Sequence, residues 1–157
     1  MLKIKIVVVD KTRAPFLSRG ETFYLERVRR YAPTEWIEVK PARIKKGRSE
    51  ANILKTEGEA IQKRVNEQDY VFALDLSGKP RTSENLARRI EQLSLSRDRL
   101  CFIIGGPLGL SAEILSNRAD ERLSLSEMTL THEMTRIILL EQIYRAFTIL
   151  RGEKYHK

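Results

Sequence analysis

The sequence has few of the residues that form metal sites, disulfides or reactive thiols. Its 157 residues include one cysteine and two histidines, which lie far apart along the chain. Because a zinc site needs several such ligands at close spacing, we expect no bound zinc or other metal. The single cysteine, Cys101, lies inside the apolar run LCFII. We interpret it as a small core residue rather than as a nucleophile.

Long hydrophobic segments are also missing. No apolar run approaches the ~18 residues that a membrane-spanning helix needs. The first ten residues, MLKIKIVVVD, lack the apolar length and the small-residue cleavage site of a signal peptide. With 41% hydrophobic and 32% charged residues, the composition is typical of a globular protein. We therefore expect a cytoplasmic protein without a membrane partner, folded as one domain over residues 1–157.

Positive charge is concentrated in the first third of the chain. The first 50 residues hold 13 lysines and arginines against 6 acidic residues, whereas the rest of the chain is nearly balanced. The basic residues cluster in RVRR, with Arg27 and Arg30, and in RIKKGR, with Arg43, Lys45 and Lys46. Such clusters attract a polyanion, and we predict that these five residues bind RNA. The alternative is a charged face that only keeps the protein in solution.

Short β-type runs alternate with longer amphipathic segments along the chain. Apolar or alternating runs predict strands at 2–9, 36–40, 70–76, 99–105 and 122–126. Helical spacing predicts helices near 20–31, 50–67 and 83–94, a shorter one after Ser111, and a last one from a Thr131 N-cap to Gly152. This order predicts an α/β fold with a mostly parallel sheet and flanking helices.

The last helix has apolar residues on more than one side. Ile137, Ile138, Leu139 and Leu140 follow one another, so their side chains project around most of its circumference. One side can pack on the sheet, and we assign the other to a second subunit. The alternative is that the whole helix is buried within one chain.

Three glycines follow the most apolar of the predicted strands. The stretch FIIGGPLGLS contains Gly105, Gly106 and Gly109, which serve either a tight turn or a close approach of the backbone to a ligand. Ligands of parallel α/β sheets collect at the carboxyl ends of the strands. LDLSGKP and LSLSEMTLTHEMTR follow two other predicted strands or enter the last helix. The three segments together predict one pocket.

These segments, with LLEQIYRAFTILRGEKYHK and the first strand, resemble in order and spacing a known bacterial family. That family methylates N3 of a pseudouridine in large-subunit ribosomal RNA. It belongs to the SPOUT class of S-adenosylmethionine-dependent methyltransferases, which form homodimers and have a trefoil-knotted C-terminal half. The resemblance covers nearly the whole chain and is stronger from residue 70 onward. Two residues depart from the usual pattern: Thr131 stands where proline is common, and Asp10 where glycine is common.

The resemblance implies a site and a partner. It implies that the donor S-adenosylmethionine contacts Leu74, Gly105, Leu125, Ser126, Glu127, Met128, Thr129 and Leu130. It implies catalytic roles for Arg136, Tyr155 and His156, with His132 a further candidate that is also explained as a helix-start residue. The substrate would be ribosomal RNA, either free or in the assembled ribosome. Two other functions stay open: a non-catalytic RNA-binding module of the same fold, and an α/β enzyme that uses another nucleotide.

Overall fold

A five-stranded parallel sheet forms the centre of the protein. The computed structural model describes residues 1–43, 45 and 47–157. Its strands are β1 (Lys3–Val9), β2 (Thr34–Val39), β3 (Tyr70–Pro80), β4 (Arg99–Ile104) and β5 (Glu121–Ser124). They are arranged in the order β2-β1-β4-β3-β5, and all four pairings are parallel. The predicted α/β class with a parallel sheet is confirmed, and the trefoil knot stays a prediction.

Helices cover both faces of the sheet. They are α1 (Pro15–Arg29), α2 (Glu50–Gln62), α3 (Ser83–Ser94) and α4 (His132–Leu150), with a π-helical turn at Ile114–Arg118. The first helix begins at Pro15, five residues earlier than predicted, because the fixed φ of proline suits the first helical turn. None of the described helices is long and apolar enough to cross a membrane.

Alternating residues of the strands divide the core into two layers. Ile4, Ile6 and Val8 of β1 belong to the layer that contains α1, α3 and α4, whereas Val7 and Val9 belong to the layer that contains Ile61 of α2. This division follows from the two-residue period of a strand that is buried on both faces.

Cys101 lies in the α2 layer and has no exposed surface. Burial raises the pKa of its thiol to about 12, which keeps it protonated and unreactive. The interpretation of Cys101 as a core residue is confirmed.

The last helix packs in the groove between α1 and α3. Leu139 and Leu140 have no exposed surface, and Ile137 faces Gly20 of α1, where an added Cβ would lie 3.7 Å from its Cδ1. Ile138 is half-buried. Burial within one chain therefore accounts for Leu139 and Leu140, whereas Ile137 and Ile138 are both half-buried. The contact of this helix with a second subunit stays a prediction.

Candidate functional site

A cavity lies at the carboxyl edge of the sheet, where the carboxyl ends of the parallel strands meet. Its volume is about 550 Å³, within the range of small-molecule sites. Three segments line it: the middle of β3, the glycine-containing loop after β4, and the end of β5 with the loop that leads to α4. These are the three segments from which the sequence predicted one pocket.

Most of the residues predicted to bind the donor line this cavity. Those that do so are Leu74, Gly105, Leu125, Ser126, Met128, Thr129 and Leu130. Glu127 is exposed and is not among the lining residues. The cavity is also lined by Asp75, Leu76, Leu108 and Thr135, which belong to the three predicted segments but were not predicted as donor contacts. Their lining role depends on how the loops bend back over the sheet, for which the local sequence carries no periodic signal.

The loop after β4 folds tightly on itself. Gly106 and Gly109 form an isolated antiparallel bridge, and Gly109 has a φ of +82°. An added Cβ on Gly105 would lie 2.3 Å from the carbonyl oxygen of Gly109, so a side chain at this position would collide with the loop itself. The geometry of the turn thus requires Gly105 and Gly109, and the same turn brings backbone groups to the cavity.

A large irregularity in β3 carries two residues into the cavity. Leu74 and Lys79 both pair with Leu123 of β5, so the four residues between them leave the strand ladder. At Gly78 an added Cβ would lie 2.8 Å from backbone atoms of β5, which explains the glycine of LDLSGKP. The displaced segment places Asp75 and Leu76 in the cavity wall.

Side chains fix the loop that leads into the last helix. The Ser124 hydroxyl donates to the carbonyl oxygen of Ser126 at 3.0 Å, and the Ser126 hydroxyl accepts from the backbone N–H of Met128 at 2.9 Å. The Thr131 hydroxyl accepts from the N–H of Met134 at 3.2 Å, as the N-cap of α4. Threonine therefore replaces the usual proline without loss of the helix start.

The cavity favours a positively charged ligand. Among the described residues that line it, Asp75 is the one carboxylate, and none is a lysine or arginine. His132 also lines the cavity. Burial, and then the nearby charge of Arg136, lowers the pKa of His132 from 6.5, so its imidazole is neutral at pH 7. A cation entering the cavity would meet one negative charge and no competing positive one.

Arg136 lies one helical turn after His132 but is absent from the cavity wall. It is fully buried and donates to the carbonyl oxygen of Val9 at 2.6 Å and to the Thr12 hydroxyl at 2.8 Å. Thr12 in turn donates to the Glu21 carboxylate. Burial lowers the pKa of Arg136, and its Nε–H has no partner among the described residues. Arg136 thus fixes the chain at the end of β1, with Thr12 and Glu21 as partners that the sequence did not reveal.

Asp10, at the end of β1, has left-handed backbone geometry. Its φ is +69°, a region in which glycine is unstrained. The Asp10 carboxylate accepts from the N–H of Lys11 at 2.9 Å and pairs with the Arg13 guanidinium at 2.9 Å. The positive φ accounts for the glycine that is common here in the resembling family, and the local hydrogen bond shows how aspartate is tolerated.

The C-terminal tail folds back along α4 and does not reach the cavity of its own chain. The Tyr155 hydroxyl donates to the Glu141 carboxylate at 3.0 Å. His156 Nδ1 lies 3.2 Å from the Arg145 guanidinium, and its Nε2 lies 2.7 Å from the Glu84 carboxylate. Burial, together with the bond to Glu141, raises the pKa of Tyr155 to about 12. Its phenol is therefore a hydrogen-bonding group rather than a base at neutral pH.

The predicted RNA-binding residues lie in two separate places. Arg27 and Arg30 are at the end of α1, which precedes β2 and so lies at the amino edge of the sheet. Arg43 and Lys45 follow the end of β2 at the carboxyl edge, whereas Lys46 lies outside the described residues. The two clusters therefore lie at opposite ends of the strands and do not form one patch.

The second cluster belongs to a loop that is tied to the cavity. The backbone N–H of Ala42 donates to the Glu57 carboxylate at 3.1 Å. The other oxygen of that carboxylate lies 3.5 Å from the position of an added Cβ on Gly106. Burial raises the pKa of Glu57. The loop that carries Arg43 and Lys45 is therefore linked to the cavity wall through Ala42 and Glu57, whereas Arg27 and Arg30 lie at the opposite end of the strands.

A parallel sheet whose carboxyl-end loops form a cavity of mixed apolar and polar residues without basic side chains is typical of a cofactor-binding protein of the α/β class. Within the described residues no group of three or more His, Cys, Asp or Glu side chains is placed to hold a metal ion. Residues 2–156 match the family described as predicted SPOUT methyltransferase. The chain belongs to this family.

Named proteins are similar to this chain over almost its full length. A protein of Halothermothrix orenii named ribosomal RNA large subunit methyltransferase H is 46% identical over 99% of this chain and 100% of its own length. A protein of the same name from Enterococcus faecalis is 41% identical with the same coverage. The structure described as a probable methylase family protein from Haemophilus influenzae has a TM-score of 0.58 over 100% of this chain and 72% of that chain. Its identity is 17%, so this similarity concerns the fold alone.

Proposed function

We propose that this protein transfers a methyl group from S-adenosylmethionine to N3 of a pseudouridine in large-subunit ribosomal RNA, in the cytoplasm. Its family is one of methyltransferases, and full-length relatives carry the name ribosomal RNA large subunit methyltransferase H. The observation that carries the proposal is the cavity at the carboxyl edge, with Asp75 as the one carboxylate and no lysine or arginine among its described lining residues. The donor is a sulfonium cation, and this charge pattern fits it.

The lining residues divide into those that supply apolar walls and those that supply backbone groups. Leu74, Leu125, Met128 and Leu130 would contact the apolar parts of the donor, whereas the loop at Gly105 would present backbone N–H and C=O groups to it. When bound, the donor supplies an activated methyl group on sulfur. The protein needs to hold the base behind this methyl group and to help remove the N3 proton.

His132 is the cavity residue suited to receive that proton. Its imidazole is neutral at pH 7 because burial lowers its pKa, and a neutral imidazole can accept a proton. The N3 electron pair would form the new N–C bond as the methyl–sulfur bond breaks, with the sulfur keeping the bonding pair. Arg136, which binds the end of β1, would position His132 and add positive charge near the forming imide anion. Both roles are part of the proposal.

We further propose a homodimer that joins the tail of one copy to the cavity of the other. Met134, Ile138, Glu141 and Arg145 form one stripe along α4. Met134 is 39% exposed and follows the cavity residue His132, whereas Glu141 and Arg145 contact the tail. This stripe is about 16 Å long. In a two-fold contact along it, the tail end of each copy lies over the cavity end of its partner.

The proposed activity is tested on ribosomes from a strain that lacks this protein. Mass spectrometry of their ribosomal RNA should show an unmethylated pseudouridine, and purified protein with S-adenosylmethionine should restore the methyl group. Free ribosomal RNA and assembled ribosomes are compared as substrates. Calorimetric binding of S-adenosylmethionine without methyl transfer to either substrate would favour the non-catalytic RNA-binding module. Absence of donor binding would favour a different nucleotide in the cavity.

Removal of residues 153–157 tests the role of the tail. We expect the fold and donor binding to persist, since the tail does not line the cavity of its own chain, and methyl transfer to fall at least ~100-fold. His156→Ala removes the imidazole and Tyr155→Phe removes only the hydroxyl group, so the two variants show how much of the loss in rate each group causes. Single-turnover kinetics on unmethylated ribosomes measure it. A truncated protein with the wild-type rate would show that the tail has no part in the reaction.

A further inference from the structure

A second concave surface lies beside the cavity, on the other side of the β3 irregularity. This basic cleft has a volume of about 620 Å³ and is lined by Ser77, Gly78, Lys79, Arg81, Arg89, Gln92, Glu121 and Arg122. Four of these side chains are positively charged and one is negatively charged. The cavity and the basic cleft thus have opposite charge patterns although they share β3 and β5.

Two of the three arginines of the cleft are held in place by one carboxylate. Glu121 pairs with Arg81 at 2.8 Å and with Arg89 at 2.5 Å, and it accepts from the Tyr70 hydroxyl at 2.8 Å. One negative charge therefore serves two guanidinium groups. The Arg81 Nε–H is buried without a partner among the described residues. The cleft keeps a positive charge that Glu121 does not neutralise.

The other two cations of the cleft are accessible. Lys79 and Arg122 are both exposed. Arg122 also donates to the carbonyl oxygen of Leu115 at 3.1 Å, which fixes its side chain near the π-helical turn. Exposed cations beside anchored arginines form a surface that attracts phosphate groups.

The position of the cleft relates it to a substrate in the cavity. In β5, Leu123 and Ser124 line the cavity, whereas the preceding residues Glu121 and Arg122 line the cleft. The rise along a strand is roughly 3.3 Å per residue, so the two surfaces are contiguous. A nucleotide whose base enters the cavity brings its phosphates with it, and the cavity wall offers them no lysine or arginine.

We propose that the basic cleft binds RNA phosphates next to the nucleotide whose base enters the cavity. This inference rests on the proposed function, because it takes RNA as the substrate. It assigns phosphate contacts to Lys79 and Arg122, with Arg81 and Arg89 as the anchored positive charge behind them. Phosphate contacts position a nucleic acid without reading its sequence.

The test compares two double variants with the same loss of charge. Lys79→Gln/Arg122→Gln removes the exposed cations of the cleft, and Lys63→Gln/Arg88→Gln removes an exposed lysine and an exposed arginine that do not line it. Methyl transfer to unmethylated ribosomes is measured over a range of ribosome and salt concentrations. We expect the cleft variant to raise KM for ribosomes about 10-fold and to flatten the logarithmic salt slope by about 1 to 2. The control variant should keep wild-type values.

Two further measurements separate charge from structure. Arg122→Lys keeps the charge, so KM for ribosomes should stay close to the wild-type value. If the hydrogen bond from Arg122 to the Leu115 carbonyl oxygen is required, Arg122→Lys should instead raise KM as much as Arg122→Gln does. Calorimetric affinity for S-adenosylmethionine should be unchanged in all variants. Equal KM and salt slope in the cleft and control variants would overturn the proposal while leaving methyl transfer intact. A wild-type protein without methyl transfer to ribosomes would overturn the proposed function and the cleft together.

Discussion

Replacement of Gly105 by alanine tests whether the loop after β4 holds the cavity in shape. The added Cβ would lie 2.3 Å from the carbonyl oxygen and 2.5 Å from the carbonyl carbon of Gly109. An ordinary carbon–oxygen contact is about 3.3 Å or longer, so the loop would have to open by about 1 Å. Forced displacements of this kind cost about 1–3 kcal/mol. We expect Gly105→Ala to lower the free energy of unfolding by that amount and to weaken donor binding at least 10-fold.

The neighbouring glycine provides a matched control. An added Cβ on Gly106 would meet Val9 at 3.4 Å and Glu57 at 3.5 Å, which are ordinary contacts. Gly106→Ala should therefore change the free energy of unfolding by less than about 1 kcal/mol. Chemical denaturation and calorimetry with S-adenosylmethionine measure the two effects. If both variants have wild-type stability and affinity, the close contact between Gly105 and Gly109 does not shape the site.

Three further changes test other parts of the structure. Asp10→Ala should be about 1 kcal/mol less stable than Asp10→Gly by chemical denaturation, because φ at this position is +69°; equal stabilities would contradict the left-handed geometry. Burial acts to raise the pKa of Glu121, but bonds from Tyr70, Arg89 and Arg81 lower it below 4.5 overall. The stability that wild type has over Glu121→Gln should thus be present above pH 4.5 and disappear as the pH falls through the lowered pKa; a difference independent of pH would refute this. Ile138→Asp should convert the proposed dimer to a monomer in sedimentation experiments while the fold persists, since Ile138 is half-buried; a monomeric wild type at micromolar concentration would refute the dimer.

Much of the fold could be predicted from the sequence because the strands are buried on both faces. The continuous apolar runs around Val7, Phe72 and Phe102 predicted central parallel strands, and the structure confirms them. The N-cap of the last helix was predicted at Thr131 from its hydroxyl group, and this hydroxyl accepts the expected backbone N–H. These features depend on local patterns alone.

The parts that could not be predicted depend on contacts between distant residues. The start of α1 was placed near residue 20; Pro15 is a local signal for the earlier start, but its further support is distant, since Glu133 of α4 accepts the backbone N–H groups of Arg13 and Ala14. The sequence left open whether the glycines serve a tight turn or a ligand; the turn requires Gly105 because of its close contact with Gly109, and Gly105 also lines the cavity. The RVRR and RIKKGR clusters are near each other in sequence, but β2 lies between them and separates them to opposite ends of the strands.

The position of α4 between α1 and α3 has a consequence for the order of events during synthesis. Leu139, Leu140, Ile143 and Ala146 complete one layer of the core, and they are synthesised after all five strands of the sheet. Until these residues have been synthesised, the apolar faces of β1 and β4 that they cover stay exposed. The parallel pairing of β1 with β4 also requires contacts between segments that are far apart in the sequence. A nascent or truncated chain that ends before this helix would expose a continuous hydrophobic surface to aggregation or to chaperones.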